Sequence, residues 1–426
     1  MKKTGVIILL ICLQITGLYA QNNDTKKAAF QLSFFPPLST QGTEAPKYDN
    51  HVSLNILAGI SGSVNSFSIS SLGMYAVNDI SGFHLSGLAT IAGNNGKGFM
   101  FAGGLNKTQD FQGLQIGGLA NISNYVTGIQ FGGLTNYNTG SVAGLQFAGL
   151  WNMNGKSMVG WQFASLGNVN RSDLVGSQFA GLSNINNGSM IGFQAAAFSN
   201  INRGNMKGFS IAGVQNLVSG DIIGNQIAGV VNTAKDVSGF QIGGLVNVAK
   251  NVTGFQLATL VNVAERNDYP IGLVNIIKYG GEMGLGITYN ETGSAMLSFR
   301  SGGRILYGIL GVGFNHDASK HKFFTEAGLG GHIPVSSRFR INNELKTNWN
   351  VVADKDAVSQ HTFAVMPAFQ ITPQWELFAG PTLNYMSTEN QDYKNLFPKH
   401  TIWKKFNEDR LQQIHIGFSA GIQLIF

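Results

Sequence analysis

The chain has 426 residues but only one cysteine, nine prolines and few charges. Lys plus Arg number 28 and Asp plus Glu 22, so 12% is charged, against about 25% in an ordinary soluble domain. Each shortage excludes a class. One cysteine cannot make a disulfide scaffold or a thiolate zinc site. Scarce proline without a Gly-X-Y period excludes collagen. An apolar fraction of 43% with so little charge excludes a disordered chain. Beyond the N-terminus no apolar run reaches the ~18 residues of a spanning helix. A formal net charge of +6, thinly scattered, gives no nucleic-acid footprint. Gly-x-Ser-x-Gly, His-Glu-x-x-His and phosphate-loop motifs are absent, and no cofactor is implied. What is abundant is glycine, 56 of 426, about twice the usual ~7%. The composition is that of a glycine-rich β-protein.

Residues 1–20 read as a signal peptide. Lys2 and Lys3 precede an apolar stretch from Val6 to Ile15, and Ala20 offers a small residue at the cut. The one cysteine, Cys12, lies inside this segment, so the mature chain is expected to have none.

An internal repeat fills the middle of the chain. Asparagine recurs as Asn106, Asn121, Asn136, Asn152, Asn168, Asn184, Asn200, Asn216, Asn232, Asn247 and Asn262, at steps of 15 or 16. Around each the unit reads Gly-x-Gln-Φ-small-small-Φ-x-Asn-Φ, with Φ apolar, as in Gly128-Ile-Gln-Phe-Gly-Gly-Leu-Thr-Asn-Tyr137. With looser copies from near Ser66, about thirteen units fill a repeat region spanning 61–270. Four-residue apolar stretches between small-residue corners suit short strands.

Two all-β architectures can use this unit. In a β-solenoid each unit is one coil, stacked about 4.8 Å from the next. The Asn column then forms an amide ladder, and the glutamines, such as Gln130 and Gln146, form a second. Phe or Ile after Gln, and Leu after the corner, are expected to fill the core. In the alternative, one continuous large barrel, each unit is a strand. Alternate strands of a barrel run in opposite directions with unequal turns, which predicts a period of about thirty residues. The spacing shows none, so the solenoid is favoured. Arg171, Asp173, Arg203, Lys207, Asp221, Lys235, Asp236 and Lys250 fall between one Asn and the next Gly, and are expected along one solvated edge.

The region 271–426 changes pattern. Segments of roughly ten residues alternate apolar and polar, the signature of membrane β-strands. In Arg338–Thr347, for example, Arg340, Asn342, Glu344 and Lys346 share one face, and Phe339, Ile341 and Leu345 the other. About eight such antiparallel strands are expected, near 283–290, 294–300, 304–314, 323–333, 338–347, 361–371, 375–386 and 413–426. Strands within 21–60 are candidates to open the same barrel.

The final strand, His415-Ile-Gly-Phe-Ser-Ala-Gly-Ile-Gln-Leu-Ile-Phe426, ends on an aromatic residue. It resembles the terminal sorting signal of bacterial outer-membrane β-barrels, with Phe426 as the sorting residue. The repeats resemble a family of bacterial surface-repeat proteins built from Gly-x-Gln-Φ-Gly-Gly-Leu-x-Asn units. These resemblances imply an outer-membrane or cell-surface location, with outer-membrane lipid as a partner and a surface ligand or other envelope proteins as further ones. That repeat family has no established activity, so no functional residue is carried over.

The expected function is therefore non-enzymatic, structural or adhesive. A pore or small-solute channel is one alternative. An envelope hydrolase using Glu326 or His332 is another, although those two residues, three pleats apart on one strand face, are roughly 20 Å from each other. The ladder makes a direct prediction: Asn184→Leu should cost roughly 1–3 kcal/mol by leaving amides unpaired. A thermal melt checks it, and a neutral result would mean that the column faces solvent.

Overall fold

The computed structural model describes residues 25–318, 322–350, 358–389, 396–407 and 410–426. The expected signal peptide lies outside them. Two compact units divide the chain, Met1–Ser172 and Asp173–Phe426. Both contain coils of a β-solenoid, about fourteen turns in all, and the second continues into a closed eight-strand antiparallel barrel.

One coil shows how the repeat folds. The long strand Val126–Gly132 is followed by the short strand Thr135–Asn138. Gly128 bends the long strand at a φ of 140°. The equivalent Gly144 lies so close to the preceding coil that a Cβ would collide with the Gly128 carbonyl, so this position accepts only glycine. The next coil pairs in parallel and in register, with Gln130 beside Gln146 and Asn136 beside Asn152. Two residues separate Ala120–Ser123 from Val126, and three separate Thr135–Asn138 from Val142. The steps of 15 and 16 thus differ only at this loop corner, and the ladder keeps its register.

The interior is polar. Asn136 donates both amide hydrogens, to Asn152 Oδ1 at 2.9 Å and to the Phe147 carbonyl at 2.8 Å. The same pair of bonds recurs at Asn184, to Asn200 at 2.9 Å and the Ala195 carbonyl at 2.8 Å. Gln146 donates to Gln130 at 2.8 Å, and Gln256 to Gln241 at 2.8 Å. A second asparagine column faces the glutamines: Asn138 bonds Asn154 at 3.1 Å and Gln130 at 3.0 Å. Every ladder asparagine from Asn106 to Asn262 is at most 1% exposed. The enclosed apolar side chains include those two positions before the bending glycine, such as Val126, Met158, Met190 and Ile222.

This reverses one expectation. Phe131, Leu134 and their equivalents do not fill the core; they point outward. Successive side chains of a strand point to opposite faces, so Gln130 and Phe131 cannot both turn inward. The inside goes to the amides, whose unpaired burial would be the costlier mistake.

The strands before residue 60 are not barrel strands either. Lys26–Phe35 pairs in parallel with Tyr48–Asn55, which pairs in parallel with Ser63–Ser70. Their polar residues match the coil interior rather than a barrel dyad: Gln31 accepts a hydrogen bond from Ser53 at 3.0 Å and both are fully buried. Leu38–Ser39 folds back antiparallel on the first strand.

In the second unit the coils run from Leu174 to Ile277. Eight barrel strands follow: Glu282–Asn290, Ser294–Gly302, Leu306–Asn315, Phe323–Pro334, Phe339–Asn350, Val358–Gln370, Trp375–Thr388 and Arg410–Ile425. The first closes on the last, from Gly284 beside Ile425 to Asn290 beside Ser419. Trp403–Asn407 adds an outer strand against the last. Where the coils end, the second barrel turn takes the place of a further coil. Asn275, the last of the ladder, donates to the Ser301 carbonyl at 3.1 Å, and its backbone N–H to Ser301 Oγ at 2.9 Å. A Cβ on Gly308 would collide with the Gly272 carbonyl.

In the glutamine column of the first unit, His84 pairs in register with Ser68 and Met100. It is fully buried, with Nδ1 2.8 Å from Ser68 Oγ. Burial pushes its imidazole down to about 4. The folded state therefore favours the neutral ring, and stability present above the ordinary histidine range is lost as the pH falls toward the folded value. The loss should reach about 3 kcal/mol between about pH 7 and pH 4. Urea melts across that range should show the slope, and His84→Gln, which places here the residue that the column mostly carries from Gln115 onward, should flatten it.

Candidate functional surfaces: the coil exterior and the barrel interior

The outward positions of the coils form aromatic and aliphatic columns. In the first unit Phe131, Phe147 and Phe163 stack with ring centroids 4.8 and 5.0 Å apart. In the second unit Phe193 stacks on Phe209 at 6.0 Å and Phe240 on Phe255 at 5.2 Å. The corner residue after the small pair is also bare: Leu134 is 46% exposed, Leu182 45% and Leu245 41%. In-register stacking multiplies one outward residue into a stripe along the array. Charges stay near the loop corner. Arg171 and Arg203 open that corner, Asp173 and Asp221 close it, and Lys235, 3.7 Å from Asp221, and Lys250 occupy it in later coils. Asp236 starts the long strand of its coil, and Lys207 sits just before a bending glycine.

The barrel carries the same inversion. Leu285, Ile287, Leu297, Leu345, Phe363 and Ile416 point out and are exposed. The inside holds a charged network. Glu344 accepts from Arg300 Nε at 2.8 Å and Tyr307 Oη at 3.1 Å, and lies 3.1 Å from Lys346 Nζ. Lys346 also reaches Glu326 at 3.3 Å. Arg340 bridges Glu376 at 2.7 Å and Glu282 at 2.6 Å. Arg300 lies 5.0 Å over the Phe378 ring, which packs with Met366, Ala364 and Ala368. A void of about 10 Å³ bordered by Arg300, Tyr307, His332 and Arg340 has room for one water at most. At the far end Leu396 and Phe397 of the last loop pack on Met296, Phe324, Val358, Met386 and Leu411.

The two residues weighed for a hydrolase do not meet. Glu326 accepts from Ser298 Oγ at 2.6 Å and pairs with Lys346. His332 stacks on Tyr307 at 4.4 Å, with Nδ1 2.7 Å from Asn342. Both are buried among strand residues. Among the described residues no group of three or more His, Cys, Asp or Glu is placed to hold a metal. Phe426 is exposed at the barrel rim, its N–H donating to the Met283 carbonyl at 2.9 Å. The alternation within the fifth strand showed that Glu344 and Lys346 share a face; it could not show that Arg300, on the second strand, meets them.

The sequence matches no protein-family profile and no curated protein. Among solved structures, a chain described as "De novo design of transmembrane beta-barrels" aligns over 34% of this chain and 94% of its own length, at 14% identity and a TM-score of 0.20. That score is too low to relate the two folds.

Glu344 is fully buried between two cations. Glu344→Gln removes the charge that holds Arg300 and should cost about 3–5 kcal/mol. The unfolding midpoint in detergent, followed by the mobility of unheated samples on a gel, checks it; a shift no larger than that of a surface substitution would count against the network.

Proposed function

We propose that this protein is a non-enzymatic component of the bacterial outer membrane, anchored by its barrel, with the solenoid in a structural role. The observation that carries the reading is the barrel's polarity. Its outward positions are apolar and its inward positions are ion-paired, the arrangement required of a sheet closed in lipid. Its strands, of 9 to 16 residues, reach the 9–11 or so needed to cross. The filled interior weighs against a channel and for an anchor.

The turns suggest an orientation. The connections on the side of the solenoid span 303–305, 335–338 and 371–374, while those on the other side are one short turn at 291–293 and longer connections that include 316–322 and 389–409. Outer-membrane barrels keep short turns on the periplasmic side and longer loops outside. On that rule the solenoid joins the barrel from the periplasm, which favours a structural role, toward lipid or other envelope proteins, over adhesion to an external ligand.

Reconstitution of the full chain tests this. The protein should resist alkaline extraction from vesicles, and planar bilayers containing it should show no conductance steps. Extraction into the aqueous phase would sink the anchor, and discrete steps would revive the channel.

A further inference from the structure

We propose that the outer surface of the coils is itself a lipid-contact surface, seated among phospholipid acyl chains. The proposal rests on the membrane reading of the barrel.

Polarity comes first. A β-solenoid in water is expected to enclose its apolar side chains and expose its polar ones. Here the amides are enclosed beside an apolar side chain two positions before the bending glycine, such as Leu174 or Ile222, while the Phe, Leu and Ile that follow Gln and the corner are outside, coil after coil. Soluble monomers rarely expose contiguous apolar patches beyond a few hundred Å². Here the exposed corner residue recurs in coil after coil, as Leu119, Leu134 and Leu150 in the first unit and as Leu245 and Leu260 in the second.

The backbone comes second. A segment can enter lipid only if its peptide groups are satisfied internally, a condition usually met by helices and closed barrels. The coils meet it by another route. Strands pair with strands in the next coil. The corners pair as well: Val230 N–H donates to the Val214 carbonyl at 3.0 Å and Leu245 N–H to the Val230 carbonyl at 3.0 Å. The loop corner follows, with Ser219 N–H to the Asn202 carbonyl at 2.9 Å. The last coil is closed by the barrel turn at Ser301.

Position comes third. Charges such as Arg203, Asp221, Lys235 and Lys250 gather near one corner, so one edge is suited to water and the other faces to chains. Such a body lies within the interface instead of crossing it. The second unit also carries an opening at this corner. An open cleft of about 530 Å³ between the last coils and the barrel end is lined by Ile276, Ile277, Met283 and Phe426, with Glu265 and Lys278. The coils and the barrel are joined within the second unit at Asn275 and Ser301, so lipid around the barrel's outward residues reaches the last coils.

Two single-tryptophan chains test the proposal. One keeps only Trp161, on the coil exterior, and the other only Trp349, on the barrel exterior; the remaining tryptophans become Phe. Each full-length chain is reconstituted into phosphatidylcholine vesicles with and without brominated acyl chains. The expected result is loss of emission from both in the brominated vesicles. Quenching of Trp349 with water-like, unquenched Trp161 would overturn the proposal and leave the barrel anchor standing. A blue-shifted but unquenched Trp161 would also overturn it, because a second copy of the chain, not lipid, would then cover the coils. Quenching of Trp161 alone would overturn it too, because the coils would then reach lipid without the barrel on which the proposal rests. If neither is quenched, both readings fail.

Discussion

The bond on which the coils depend is the one between asparagine side chains of successive turns. It is a neutral amide–amide bond of 2.8 to 3.0 Å, and such a bond contributes only about 1 kcal/mol net. Its importance lies in what its absence would cost. Each Nδ2 sits where water does not reach, so a coil slipped by one residue would leave a column of buried amides without partners. That penalty fixes the register. The register in turn superimposes the bending glycines, sets the small pair at the corner and stacks the outward aromatics.

The polarity of the whole chain follows from the same choice. A coil whose inside is committed to amides has room for few apolar side chains, and the small ones there, Ala164 and Ala212 among them, sit beside the ladder. Apart from those two positions before the bending glycine, such as Met158 and Ile222, most of the larger ones are left outside. The barrel arrives at the same distribution by different means, with salt bridges in place of amides. Glu344 and Arg300 exchange charge-assisted bonds inside a ring whose outer face is leucine and isoleucine. The two architectures thus share one solvent requirement, although one stacks parallel coils and the other closes antiparallel strands.

Much of this was legible from residue order. The period of 15 to 16 gave the coil, because an in-register parallel stack repeats its chemistry at every turn. The dyad gave all eight barrel strands, because a two-faced strand writes its two environments alternately. The glutamine and asparagine ladders were legible for the same reason. The sidedness of the aromatics was misread: burying apolar groups is the default in water, and the competing demand of the amides shows only when Gln130 and Phe131 are placed on one strand. The long-range pairs were not legible at all. Arg300 with Glu344, or Asn275 with Ser301, depend on which strands closure brings together, and no local pattern encodes that.

The junction at Ser301 means that the barrel offers the coils an edge shaped like one of themselves. Since each coil presents the same edge to its successor, the array has no intrinsic length. Gain or loss of a whole unit of fifteen or sixteen codons among the coils between Leu174 and Ile277 leaves the edge that meets Ser301 unchanged. The reach of the solenoid is therefore free to vary by duplication, while the anchor and the starting strands stay fixed.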